Sequence, residues 1–153
     1  MRRFVIALAA CLLTIGVTAE AATGKVIKVL PEYLDLKGRN SVTPSLYERD
    51  AYQALLRQHP ELRSALRFYI QWKIKGEPFE GLKVRLEMRG IAQGNLPKQL
   101  TMETPIKPGG WFSHWSELTV QGDNYKNLGE VTAWRVTLWD GAEMLDEQKS
   151  FLW

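Results

Sequence analysis

The chain is expected to fold as a mainly-β, antiparallel sandwich of six or seven strands with one α-helical insert at about 45–59. Three observations carry this. Leu66, Phe68, Ile70, Trp72 and Ile74 alternate with Arg67, Tyr69, Gln71, Lys73 and Lys75, and a strict period of two marks a half-buried strand. Leu82, Val84, Leu86 and Met88 repeat the pattern against Lys83, Arg85, Glu87 and Arg89. Turn residues then recur at short, roughly even intervals to the end of the chain, as in an antiparallel sandwich.

The elements follow in order. Val26, Ile27, Val29 and Leu30 run into Pro31, with Tyr33, Leu34 and Leu36 beyond. Proline cannot donate to a sheet ladder, so this segment reads as an edge strand or two short strands. Gly38-Arg39-Asn40-Ser41 is a loop. Thr43-Pro44 and Ser45-x-x-Glu48 then signal a helix start, the second as a capping box, and Pro60 ends the helix. Tyr47, Ala51, Ala54 and Leu55, with Leu46 beside them, form its expected core face; Glu48, Arg49, Gln53 and Arg57 face away.

The strands at 66–75 and 82–89 are joined by the turn Gly76–Gly81, giving a hairpin or a closely linked pair. Gly90–Lys98 reads as a loop, and Leu100, Met102 and Thr104 as the inward side of the next strand. Lys107-Pro108-Gly109-Gly110 is a turn, followed by a strand at about Trp115–Val120. Gly122-Asp123-Asn124 reads as a loop. Val131–Trp139 is a strand with Trp134, Val136 and Leu138 on one face and Trp139 on the other. Asp140-Gly141 signals a hairpin. The last strand is expected from about Met144 to the end, with Phe151 and Trp153 competing with Leu152 for the core.

The amino terminus bounds the compartment. Arg2-Arg3 precede an apolar run from Phe4 to Val17, and Ala19-Glu20-Ala21 supplies a small-x-small cleavage site, the three parts of a secretory signal peptide. The run falls short of the ~20 residues a membrane-spanning helix needs. Leu8-Ala9-Ala10-Cys11 matches a lipoprotein signal locally, but the apolar stretch continues through Leu12, Leu13 and Ile15. Ordinary cleavage after Ala21 is therefore expected, leaving one domain at 22–153 with no transmembrane anchor, in the periplasm or secreted. Cys11 is the sole cysteine and would leave with the signal. The net charge of +3 would fall to +2 with Arg2, Arg3 and Glu20, too small to imply nucleic acid.

The strand pattern of 26–153, with a tryptophan strand early at Trp72 and a final hairpin at Asp140-Gly141, resembles immunoglobulin-like and fibronectin type III-like sandwiches. The paired cysteines of antibody domains are absent. Gly122-Asp123-Asn124-Tyr125 before Leu128-Gly129-Glu130 resembles the approach to a tyrosine corner, with Tyr125 as its tyrosine. Such folds host many functions, so the resemblance implies a fold and no activity.

Catalysis and cofactors find no support. His59 and His114 are the only histidines, His59 sits at a helix end where a cation suits the dipole, and no zinc spacing or nucleophile elbow occurs. Two surface features remain. If the strands at 66–89 pair directly, Arg67, Lys73, Lys75, Lys83, Arg85 and Arg89 form one basic face against Glu87 alone. Trp111, Trp115 and Trp139 are candidate exposed rings for a ligand or partner, since tryptophan is frequent among binding hot spots. The expectation is a non-enzymatic surface-binding module whose partner is another envelope protein, with the helical insert and Trp153 as contact elements. A glycan bound by the exposed tryptophans is the alternative, and an uncharacterised hydrolase comes third.

Overall fold

A computed structural model describes residues 22–76, 81–107 and 112–153 of the chain. The expected signal peptide at 1–21, the core of the turn at 77–80 and the stretch 108–111 with Trp111 lie outside the described residues. Within them the chain is mainly β, with strands β1 (Thr23–Asp35), β2 (Arg63–Lys75), β3 (Leu82–Ala92), β4 (Leu96–Ile106), β5 (His114–Gln121), β6 (Glu130–Asp140) and β7 (Glu143–Lys149). Helix α1 (Leu46–Gln58) lies between β1 and β2, and helix α2 (Gly122–Leu128) between β5 and β6. Every strand pairing is antiparallel. A three-stranded sheet in the order β1-β2-β5 faces a four-stranded sheet in the order β4-β3-β6-β7.

Alternation decides what lies between the sheets. Phe68, Ile70 and Trp72 of β2 meet Val84, Leu86 and Met88 of β3 in one core, joined by Val136 and Leu138 of β6. The Phe68 and Trp134 rings meet edge to face at 6.2 Å, a contact that ties the two sheets together. Such a pair adds about 1 kcal/mol beyond the area it buries.

Several expectations need correction. β2 and β3 are not paired with each other; the short link between them crosses from one sheet to the other. The expected loop at 90–98 is a tight hairpin, because Gly94 and Asn95 both adopt positive φ and let β3 and β4 run further. Residues 122–128 form α2 rather than a loop. Tyr125 thus sits on a helix, and not at the head of a strand as a tyrosine corner requires. β7 stops at Lys149: Ser150 turns back to bond both the N–H and the carbonyl of Trp134, leaving Phe151 and Leu152 in solvent. Trp153 stays out of the core and lies 4.1 Å below the Arg89 guanidinium.

Helix α1 forms where its start signals place it, with Ser45 accepting from the Glu48 N–H and the Thr43 hydroxyl donating to the Glu48 carboxylate. Its orientation is the reverse of the expected one. Tyr47, Leu46 and Leu55 are exposed, Tyr47 to 84 %, while Gln53 and Leu56 are buried. The cause is polar. β1 is an edge strand, and the Gln53 amide accepts from the Tyr33 N–H at 2.8 Å and donates to the Tyr33 carbonyl at 2.9 Å, as a neighbouring strand would. The same amide also donates to the Asn40 carbonyl. Pro31 shares the backbone direction of Tyr33, so its missing N–H falls on that open edge, where it costs no ladder bond. Further along, the Asp146 carboxylate of β7 accepts from the Val26 N–H at 2.7 Å. Side chains thereby cover an edge that would otherwise invite pairing with another chain.

Candidate binding surfaces

The six basic residues expected on one face are divided between two. Arg67, Lys73 and Lys75 point outward from the three-stranded sheet, whereas Lys83, Arg85 and Arg89 point outward from the four-stranded sheet on the opposite side. The exposed tryptophans divide in the same way. Trp115 lies opposite outward-facing Gln71 in the three-stranded sheet, and Trp139 opposite Lys83 in the four-stranded sheet. No single surface therefore holds the tryptophan set or the basic set.

On the four-stranded sheet the cations are engaged. Glu103 takes Lys83 at 3.3 Å and Arg85 at 2.5 Å, and Glu147 takes Arg135 at 2.8 Å and Lys149 at 3.3 Å. The Arg85 guanidinium, joined by Lys83, holds the Glu103 carboxyl below its ordinary range. Arg85 also lies 4.7 Å over the Trp139 ring, whose indole N–H donates to the Thr137 hydroxyl at 2.7 Å. On this solvated face Lys83, Arg85, Arg135 and Lys149 each meet a carboxylate, while Arg89 lies over the Trp153 ring.

The outer face of the three-stranded sheet has two halves. Register sets Glu32, Arg67 and Thr119 in one row and Leu30, Tyr69 and Glu117 in the next. This half is closed by its own bonds. Arg67 donates to the Thr119 and Tyr69 hydroxyls, and Asn40 donates to the Glu32 carboxylate at 2.6 Å. Arg49 of α1 approaches the other Glu32 oxygen at 3.6 Å.

The rows beyond are Lys28–Gln71–Trp115, Lys25–Lys73 and Thr23–Lys75. Among the described residues, none of these four lysines enters an ion pair. Lys25 stands directly opposite Lys73, and like charges across an antiparallel pair repel. Trp115 is 49 % exposed beside them, whereas Trp72 on the inner face is 3 % exposed. Gln71, between Lys28 and Trp115, donates to the Ser113 hydroxyl at 2.9 Å. An open concavity of about 350 Å³ lined by Thr23, Gly24, Lys25, Lys73 and Lys75 ends the face.

Lys73, Lys75 and Trp115 are visible in the sequence pattern, whereas Lys25 and Lys28 are not. Val26, Ile27, Val29 and Leu30 follow no single period. The register shift between Val26 and Lys28 is what brings both lysines to one face. The roles of Asp35, Gln53 and Arg63 are equally hidden, because they depend on partners brought near only by the fold.

The histidines weighed for chemistry, and the serine beside Trp115, have structural partners. Ser116 accepts the Trp72 indole N–H at 2.8 Å, the His114 ring stacks on Trp72 at 5.1 Å, and His59 meets Glu61 at 2.9 Å. Among the described residues no group of three His, Cys, Asp or Glu side chains could hold a metal ion, and no helix is long and apolar enough to cross a membrane. Compared with protein-family models and with curated proteins, the chain finds no match.

Proposed function

We propose that the chain is an exported β-sandwich module that does no chemistry of its own and acts by binding an anionic component of the cell envelope. The binding surface is the lysine half of the outer face of the three-stranded sheet. One observation carries the reading: four lysines, none of which enters an ion pair among the described residues, share one half of an outer sheet face with a half-exposed tryptophan. Such a patch attracts anions and speeds their encounter. A bound anion also relieves the repulsion between Lys25 and Lys73. The signal-like residues 1–21 support export, to the periplasm or beyond the cell.

The strand order supports an immunoglobulin-like or fibronectin type III-like architecture. In the constant-type sandwich the first, second, fourth and fifth strands oppose the third, sixth and seventh. Here the fourth pairs with the third instead, leaving β1-β2-β5 as the smaller sheet. The lysine face is the outside of that smaller sheet.

A second reading rests on α1. Its exposed Leu46, Tyr47 and Leu55, with Leu36 and Val42 in the preceding loop, suit a protein partner. The partner would then be another envelope protein docked on the helical insert.

The first reading is tested by matched charge removal. Lys25, Lys28, Lys73 and Lys75 are changed together to glutamine, and in a second variant Lys37, Lys98, Lys107 and Lys126. Both variants lose the same charge. Binding of labelled dextran sulfate, followed by anisotropy, is expected to weaken about thirtyfold in the first, at roughly 0.5 kcal/mol for each exposed charge pair. The second should change severalfold at most. Equal losses in both would reduce the binding to net charge and remove the site.

A further inference from the structure

We infer that the ligand of the lysine face is an acidic polysaccharide, whose sugar rings stack on Trp115 while its carboxylate or sulfate groups pair with Lys25, Lys28, Lys73 and Lys75. The inference rests on the preceding reading and adds the class of ligand. It comes from what accompanies the charge. Trp115, Gln71 and Lys28 form one row across three strands. Neighbouring strands are ~4.8 Å apart, so the backbone positions that carry the ring and the ammonium lie about 10 Å from each other, with the amide-bearing position between them. Lys25 and Lys73 follow one row further, about 7 Å along the strands.

This order of groups matches a charged sugar chain better than other polyanions. The axial C–H groups of a pyranose form an apolar face that packs against an indole ring, and Trp115 has half its surface open for that contact. The Gln71 amide is oriented by Ser113, and among the described residues its carbonyl oxygen and second N–H have no further partner, leaving them for sugar hydroxyls. An acidic polypeptide would satisfy the lysines but make no use of the ring and amide together. A lipid surface calls for an apolar face that sinks below the headgroups. Here the aromatic ring shares the outer face of a sheet with four ammonium groups.

The test titrates the purified protein with alginate, dextran sulfate, uncharged dextran, poly-L-glutamate and vesicles rich in anionic phospholipid. Indole fluorescence and anisotropy are the readouts. Trp115→Ala and Trp115→Phe are compared, with Trp139→Ala as the control on the opposite face. Alginate or dextran sulfate should bind at least tenfold tighter than poly-L-glutamate or the vesicles, and uncharged dextran should not bind. Trp115→Ala should weaken saccharide binding about tenfold, Trp115→Phe should restore most of it, and Trp139→Ala should leave it unchanged. Tight binding of poly-L-glutamate or vesicles that ignores Trp115 would overturn the saccharide assignment while leaving an anion-binding face. Failure of every anionic probe would overturn both.

Discussion

Replacing Arg63 by alanine is expected to destabilise the protein by about 3 kcal/mol, the lower end of the range for breaking a buried ion pair, and to lower its melting temperature by roughly 10 °C. Only 3 % of the Arg63 side chain is exposed. Its guanidinium donates to the Leu56 and Arg57 carbonyls at the end of α1 and to the Glu130 carboxylate at 2.8 Å. It also lies 4.0 Å over the Tyr33 ring, and the Tyr33 hydroxyl donates to Glu130 at 3.1 Å. One side chain thus fastens the helix to β1 and to the opposite sheet. Alanine would leave two helix-terminal carbonyls without their partner. Glu130 is half exposed and regains water, which keeps the loss at the lower end. Lysine at this position should recover less than half, since one ammonium cannot reproduce the planar fork. Urea unfolding followed by tryptophan fluorescence measures both. A loss below 1 kcal/mol for alanine would show that α1 is held by something else. Burial, and then the Glu130 carboxylate, push the Tyr33 hydroxyl up to about 12, with Arg63 pulling the other way.

Asp35 is expected to make the fold acid-sensitive, and Asp35→Asn to remove that sensitivity at a cost of about 3 kcal/mol near neutral pH, the scale of a hydrogen bond to a charged group. Asp35 is buried and accepts from the Lys37 and Arg39 backbone N–H groups, the Arg39 guanidinium and the Tyr52 hydroxyl. Burial raises its pKa, but the Arg39 and Tyr52 bonds outweigh burial and hold the carboxyl well below the usual carboxylate range. A carboxyl depressed on folding stabilises the protein fully above its unfolded pKa, and that contribution disappears as pH falls toward the folded value. Wild-type stability should therefore drop below about pH 4 by more than that of the asparagine variant, and the two curves should converge. Asparagine can accept on one oxygen only and sets an N–H₂ against donors, so bonds to a buried charge are lost. Parallel acid limbs in urea titrations of the two proteins would contradict this role.

The strands were legible because period two survives any tertiary context that buries one face. Leu66–Ile74 and Leu82–Met88 both turn their apolar residues inward. The partner of each strand was not legible. Alternation separates inside from outside but does not name the sheet, and so the outward bases of β2 and β3 were joined into one face when the link between them crosses the sandwich. The helix was legible in extent from its Ser45 cap and Pro60, but not in facing. Its apolar residues outvote Gln53 in any hydrophobic count, yet Gln53 finds the free N–H and carbonyl of Tyr33. An edge strand supplies that demand, and no local pattern records it. Of the binding face, Lys73, Lys75 and Trp115 were visible, while Lys25 and Lys28 depended on a shift of register.

The measurement that bears most directly on this account maps where a polyanion touches the folded chain. Amide resonances of labelled protein are followed as a short alginate oligosaccharide is added. Shifts should concentrate at Lys25, Lys28, Gln71, Lys73, Lys75 and Trp115, with Lys83, Arg85 and Arg135 unmoved because carboxylates already engage their charges. Shifts centred on the four-stranded sheet, or spread evenly over both outer faces, would contradict it.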